Sequence, residues 1–235
     1  LLNFMHQIQE ELRLLANPEK AKLLQRFFKT GKGEYGEGDI FLGLQVPQIR
    51  TIAKKYPNLE LNQIQQLLNS KIHEERLTAL LILSSCYRNS ANKDKIFDFY
   101  LANTKNINNW DLVDLSAPNI VGVHLLNKDK KIIYNLAGSK NLWERRISII
   151  STASFIRNND FQDTIRISQL LLNDSHDLIH KAVGWMLREV GKRNQPLLET
   201  FLKQNYKNMP RTMLRYAIER FPEEKRKAYL KGEIK

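Results

Sequence analysis

Ser139-Lys140-Asn141-Leu142-Trp143-Glu144-Arg145-Arg146 runs from a polar break into a helix start and ends on two bases, and the same pattern occurs twice more in the chain. Leu68-Asn69-Ser70-Lys71-Ile72-His73-Glu74-Glu75-Arg76 precedes it, and Leu172-Asn173-Asp174-Ser175-His176-Asp177-Leu178-Ile179-His180-Lys181 follows it. In each, turn- and cap-forming residues that suit a helix opening give way to an apolar position and then to a base. The charged positions Arg76, Asp114, Arg146 and Lys181 recur at intervals of 38, 32 and 35 residues. A period near 35 with two helices per repeat is a helical hairpin, which buries its apolar face only by stacking on a neighbour.

Working outward, apolar residues keep three- and four-residue spacing nearly throughout, and no run alternates convincingly with period two. A first helix is expected over 3–16. Asn17-Pro18-Glu19 then reads as a cap with proline at the first helical position, opening a second helix over 19–29 with Leu23, Leu24, Phe27 and Phe28 inward. Short polar breaks divide the rest into helices over 47–56, 60–69, 73–89, 92–104, 109–126, 128–138, 141–157, 160–173, 176–193, 196–206, 210–221 and 222–231. The expectation is an all-α chain, an α-solenoid of HEAT-like helical-hairpin repeats forming a single domain over 1–235. The recurring charges would line a concave basic face. Gly31-Lys32-Gly33-Glu34-Tyr35-Gly36 spells G-x-G-x-x-G, but no strand precedes it, no helix opens on it, and its acidic residues would repel a pyrophosphate.

The chain has 235 residues, 42% of them hydrophobic, which suffices for a substantial core. Its single cysteine, Cys86, excludes a disulfide framework and reads as a buried, inert thiol suited to a reducing cytoplasm. The opening Leu1-Leu2-Asn3-Phe4-Met5-His6-Gln7 has neither a basic leader nor an unbroken apolar core, and no segment approaches about 18 apolar residues, so no membrane partner is expected. Thirty-seven Lys and Arg against 25 Asp and Glu give a net charge of +12, and a chain this basic points to a polyanion, most commonly nucleic acid.

The chemistry concentrates in Asn108-Asn109-Trp110-Asp111-Leu112-Val113-Asp114-Leu115-Ser116-Ala117-Pro118. On a 3.6-residue period Trp110, Asp114, Ala117 and Val121 share one stripe, placing a carboxylate one turn from an indole in a row that otherwise reads as buried. An ionised carboxylate there must be paired, hydrogen-bonded or used in a cleft. Pro118 clashes with the carbonyl of Asp114 and is expected to kink the helix. The plain structural alternative is a helix start capped by Asn108 or Asn109, with Asp111 in its first turn and Asp114 in an ion pair. Arg146 lies at the edge of an apolar face while Arg145 points more outward, and Lys181 and Trp185 form an i,i+4 pair with Gly184 permitting close approach beside the indole.

Trp110-Asp111-Leu112-Val113-Asp114, Leu142-Trp143-Glu144-Arg145-Arg146 and Lys181-Ala182-Val183-Gly184-Trp185-Met186-Leu187-Arg188-Glu189 resemble the signatures of the DNA alkylation repair glycosylases built from HEAT-like repeats, the AlkD-type family. The likeness extends to Lys29 through Gly38 and to Met209 through Glu219, so it covers nearly the whole chain. The resemblance implies excision of cationic N3- and N7-alkylpurines from double-stranded DNA; with no Cys/His metal set and no phosphate-cradling loop, no cofactor or metal is expected, and the chain is expected to be a monomer. It implies Asp114 as the catalytic carboxylate, Trp110 and Trp185 as aromatic walls and Arg146 as a backbone contact; Lys181, Arg188, Arg145 and Phe27 are further DNA-binding candidates. Phe27 stands where some members carry a cleft tyrosine, so no hydroxyl contact is available there.

The chemistry of the substrate points the same way. An alkylpurine with a fixed positive charge already leaves readily, and it is the sugar, developing oxocarbenium character, that needs a carboxylate. Indole faces attract the cationic base by about 0.5–2 kcal/mol each. The competing expectations are non-catalytic: a HEAT-repeat protein-interaction scaffold in which Asp114 and Arg146 form an ion-pair ladder, or an inert binder of branched or damaged DNA that keeps the basic concavity.

Overall fold

A computed structural model of the chain describes residues 4–234. Helices α1 (Phe4–Leu14), α2 (Pro18–Phe27), α3 (Val46–Ala53), α4 (Leu61–Leu68), α5 (His73–Asn89), α6 (Lys93–Ala102) and α7 (Trp110–Ala117) are followed by a π-helical turn, Pro118–Gly122. Then come α8 (Lys131–Ala137), α9 (Leu142–Ser151), α10 (Ala153–Arg157), α11 (Gln162–Leu170), α12 (Asp177–Gly191), α13 (Gln195–Asn205), α14 (Arg211–Ala217) and α15 (Glu223–Lys231). Among the described residues the β-type pairing is confined to one bridge between Ile40 and Ile72. The fold is all-α, with helices packed in repeats as in an α-solenoid; the predicted first-helix residue Asn3 lies outside the described residues.

Two compact units divide the chain, one ending at Ser116 and the other starting at Ala117. In the first, α5 is the central helix, packed by α3, α4 and α6. It is buried on almost every side, which is why its sequence shows little amphipathic contrast. In the second, α12 holds that place, packed by α9, α11, α13 and α14. Gly184 explains how closely α14 approaches: a Cβ there would stand 2.5 Å from the Met213 carbonyl oxygen and 2.5 Å from Tyr216 Cβ. The close approach that Gly184 permits is thus by a neighbouring helix of the same unit.

The repeat is written in side-chain hydrogen bonds at the helix starts. Before α5, Ser70 Oγ accepts from the Ile72 amide and the Ser70 carbonyl accepts from Arg76 Nη1. Before α9, Ser139 Oγ accepts from the Asn141 amide and the Ser139 carbonyl from Arg145 Nη1. Before α12, Asp174 Oδ1 accepts from the His176 amide and the Asp174 carbonyl pairs with His180 Nε2. These positions are 69 and 35 residues apart. Asp114, Arg146 and Lys181 each fall four residues beyond the first residue of α7, α9 and α12, as the sequence spacing suggested. Arg76 falls three beyond the start of α5, so its counterparts are Arg145 and His180.

Three departures from the sequence-based expectations have local causes. Pro118 does not simply kink the helix: the ladder widens into a π turn, whose Pro118 carbonyl accepts from Ser154 Oγ at 2.6 Å. The predicted helix 141–157 breaks at Thr152, where Thr152 and Ser151 hydroxyls bond carbonyls three and four residues back. Leu23 and Phe27 face outward, each 63% exposed, because α2 packs through Ala21 and the partly buried Leu24 while Phe28, just past its end, fills the core. Cys86 is half-buried; its Sγ donates to the Pro57 carbonyl, and burial pushes the thiol up.

Candidate active site

The first unit presents Trp110 and Asp114 one turn apart on α7, both partly exposed, while Ala117 and Val121 further along the same stripe are fully buried. The half of the stripe that holds Trp110 and Asp114 is therefore the half at the surface. Trp110 is held by aromatic packing: its ring stacks on Phe28 with centroids 5.1 Å apart and planes 10° apart, and Phe27 meets it edge-on at 5.9 Å. Such offset and edge contacts add stability beyond the area they bury. Burial, and with it the Asp114 charge, raises the Tyr100 phenol above its ordinary value; the hydroxyl lies 2.9 Å from Ser116 Oγ. A carboxylate and an aromatic face thus stand one turn apart at the surface.

Beneath this surface lies a network that sequence reasoning missed. His73, at the start of α5, points Nε2 at Asp111 Oδ2 (2.8 Å) and Nδ1 at Asp39 Oδ2 (3.3 Å), and Arg76 Nη2 lies 2.7 Å from Asp39 Oδ1. All four side chains are buried. Burial opposes charging of His73, yet the Asp111 charge and hydrogen bond, with help from Asp39, outweigh it and push the imidazole up to about 9. Burial likewise works against an ionised Asp39, but bonds and charge from His73 and Arg76 hold its carboxyl below the usual range. The ring of His73 also stacks on Phe41 at 4.4 Å and meets Phe28 at 5.1 Å, so it adjoins the aromatic column that ends in Trp110. Next to it, Glu74 accepts from the backbone amides of Leu42, Gly43 and Leu44.

In the second unit Trp185 is partly exposed, whereas Trp143 is core. The predicted DNA-binding cations are placed unequally. Arg146 is 4% exposed and donates to the Leu178 carbonyl at 2.5 Å, anchoring the first turn of α12. Arg145 pairs with Asp174 at 2.6 Å and donates to the carbonyls of Ser139 and Lys140. Arg188 is paired with Glu219. Lys181, whose side chain is 39% exposed, bonds Asp177 at 2.7 Å. Burial raises the Asp177 carboxyl, but the bonds from Lys181 and Thr212 win and hold it low. Among the described residues, no cluster of three or more His, Cys, Asp or Glu is arranged to hold a metal ion, and no helix is long and apolar enough to cross a membrane.

Helical hairpins packed in repeats, with a carboxylate and an indole partly exposed on one turn of α7, define the class: an all-α repeat protein. The chain belongs to the DNA alkylation repair enzyme family, whose profile matches residues 8–221. It therefore belongs to DNA alkylation repair, with DNA as its substrate. A solved structure described as a predicted DNA alkylation repair enzyme from Enterococcus faecalis is similar to it at 18% identity and a TM-score of 0.71, over 88% of this chain and 97% of that one. At that identity the likeness is one of fold. A search of curated proteins gives no significant match.

Proposed function

We propose that the protein is a DNA glycosylase that hydrolyses the N-glycosidic bond of N3- and N7-alkylated purines in duplex DNA. The observation that carries this reading is the Trp110–Asp114 pair, which shares one partly exposed turn of α7. The alkylated base leaves with the electron pair of its glycosidic bond, which neutralises its own positive charge, so no strong general acid is needed. Asp114 stabilises the positive charge that develops on the sugar and orients the water whose oxygen bonds to C1′. Trp110 attracts the cationic base through its π face, and Trp185 offers the second unit's own partly exposed indole to DNA. Phe27, exposed beside Trp110, adds an apolar ring contact to the DNA. Lys181 contacts phosphate directly, while Arg145, Arg146 and Arg188 act from within by fixing the helix starts and packing that carry the surface.

The test is incubation of the purified chain with a duplex carrying 7-methylguanine and with the unmodified duplex, followed by chromatography of the free bases. Release of 7-methylguanine from the modified duplex alone is expected. Binding of both duplexes without release would overturn the enzymatic reading in favour of a non-catalytic DNA binder.

A further inference from the structure

We propose that His73 is a positioning residue: clamped as an imidazolium between the Asp39 and Asp111 carboxylates, it fixes the first turn of α7 and thereby the orientation of the Trp110 indole. Its geometry requires the charged form. Nε2 and Nδ1 each face a carboxylate oxygen, at 2.8 and 3.3 Å, and only the doubly protonated ring can donate from both. Asp111 is the neighbour of Trp110 on α7, so the stronger of the two bonds acts one residue from the indole. A second link runs through the rings, from His73 to Phe28 at 5.1 Å and from Phe28 to Trp110 at 5.1 Å. Two independent contacts thus join one buried cation to one partly exposed indole.

The charged groups around His73 are Arg76 from α5, Asp39 from the loop between α2 and α3, and Asp111 from α7. Glu74 is turned to the amides of Leu42–Leu44. Removing the His73 proton leaves Arg76 to balance Asp39, whereas Asp111 loses its paired cation. The consequence falls on α7. An ordinary core histidine would stabilise the unit without setting the geometry of one surface ring, and this difference can be measured.

The full chain is labelled with 5-fluorotryptophan, giving resonances from Trp110, Trp143 and Trp185, with Trp110 assigned by Trp110→Phe. Between pH 7 and 10.5 the Trp110 resonance is expected to move with a midpoint near the His73 value of about 9, while Trp143 and Trp185 stay still. His73→Gln should abolish that titration; where it folds poorly, Asp111→Asn replaces it. The kinetic arm rests on the glycosylase reading: His73→Gln should lower kcat for 7-methylguanine release by about ten- to a hundredfold with little change in KM, the scale of a misplaced contact group. A still Trp110 resonance in the folded wild-type chain, or a wild-type kcat in His73→Gln, overturns the proposal. A wild-type chain that releases no base removes the glycosylase reading instead, and the fluorine titration still decides the role of His73.

Discussion

Trp110 has a stacked partner beneath it and solvent beside it, so truncating it separates recognition from general affinity. Trp110→Ala is expected to slow excision of a cationic lesion by about tenfold or more while affinity for undamaged duplex changes little, because the indole meets the base and phosphate contacts set general binding. Rates, binding isotherms and melting curves on the same preparation check this; activity lost only in proportion to folded protein would make the ring structural. The buried histidine gives a second expectation. Folding raises His73 from 6.5 to about 9, so its stabilisation is complete below 6.5 and is lost as pH rises through about 9. Asp39 is shifted the other way, so its contribution is present above its ordinary value of 3.8 and is lost as pH falls through the lowered one. Melting temperature should therefore decline between about pH 6.5 and 9 and level off above that, and His73→Gln should flatten the decline. Trp110 and Asp114 were legible in the sequence because a carboxylate in an apolar stripe is a local contradiction. His73, Asp39 and Asp111 were not, since Asp111 passes as an ordinary acid of a helix's first turn and its partner His73 lies 38 residues away.

Helix starts and helix packing were readable to different depths. Polar breaks and apolar spacing place most helices within a few residues of their observed bounds, and three of the four recurring charges hold the same position within their helices. Arg145 shows where reading stops. Its sequence position says only that it lies outside the apolar face, whereas the bonds that hold it, to Asp174 and to two carbonyls, depend on how α9 meets α12. Arg145→Ala is expected to lower stability by about 2–4 kcal/mol, since it leaves the nearly buried Asp174 carboxylate uncompensated, and to leave the salt dependence of DNA binding unchanged. A reduced salt slope with an unchanged melting curve would make Arg145 a phosphate contact instead. Gly184→Ala places a methyl group against the α14 backbone and should cost about 1–3 kcal/mol, read from the shift in denaturation midpoint. A glycine beside an indole suggests an approaching ligand in sequence, and only tertiary structure shows that a helix occupies the space.

Across the whole chain, a net charge of +12 on a member of a DNA repair family predicts duplex binding that is indifferent to sequence and falls steeply with salt. Affinities for two unrelated duplexes across a salt series should coincide and decline together, and a flat response would remove phosphate contacts from the account. Catalysis is a narrower matter than binding: under the proposed glycosylase reading, the Asp114 carboxylate carries the reaction. Asp114→Asn keeps volume and hydrogen-bonding capacity while deleting the charge, so it isolates electrostatic catalysis from packing. The decisive measurement is single-turnover release of 7-methylguanine by Asp114→Asn against the wild type, with thermal melting of both. Release should fall by about two orders of magnitude or more, with the melting temperature and duplex affinity preserved. Release at the wild-type rate, or a loss matched by unfolding, would contradict it.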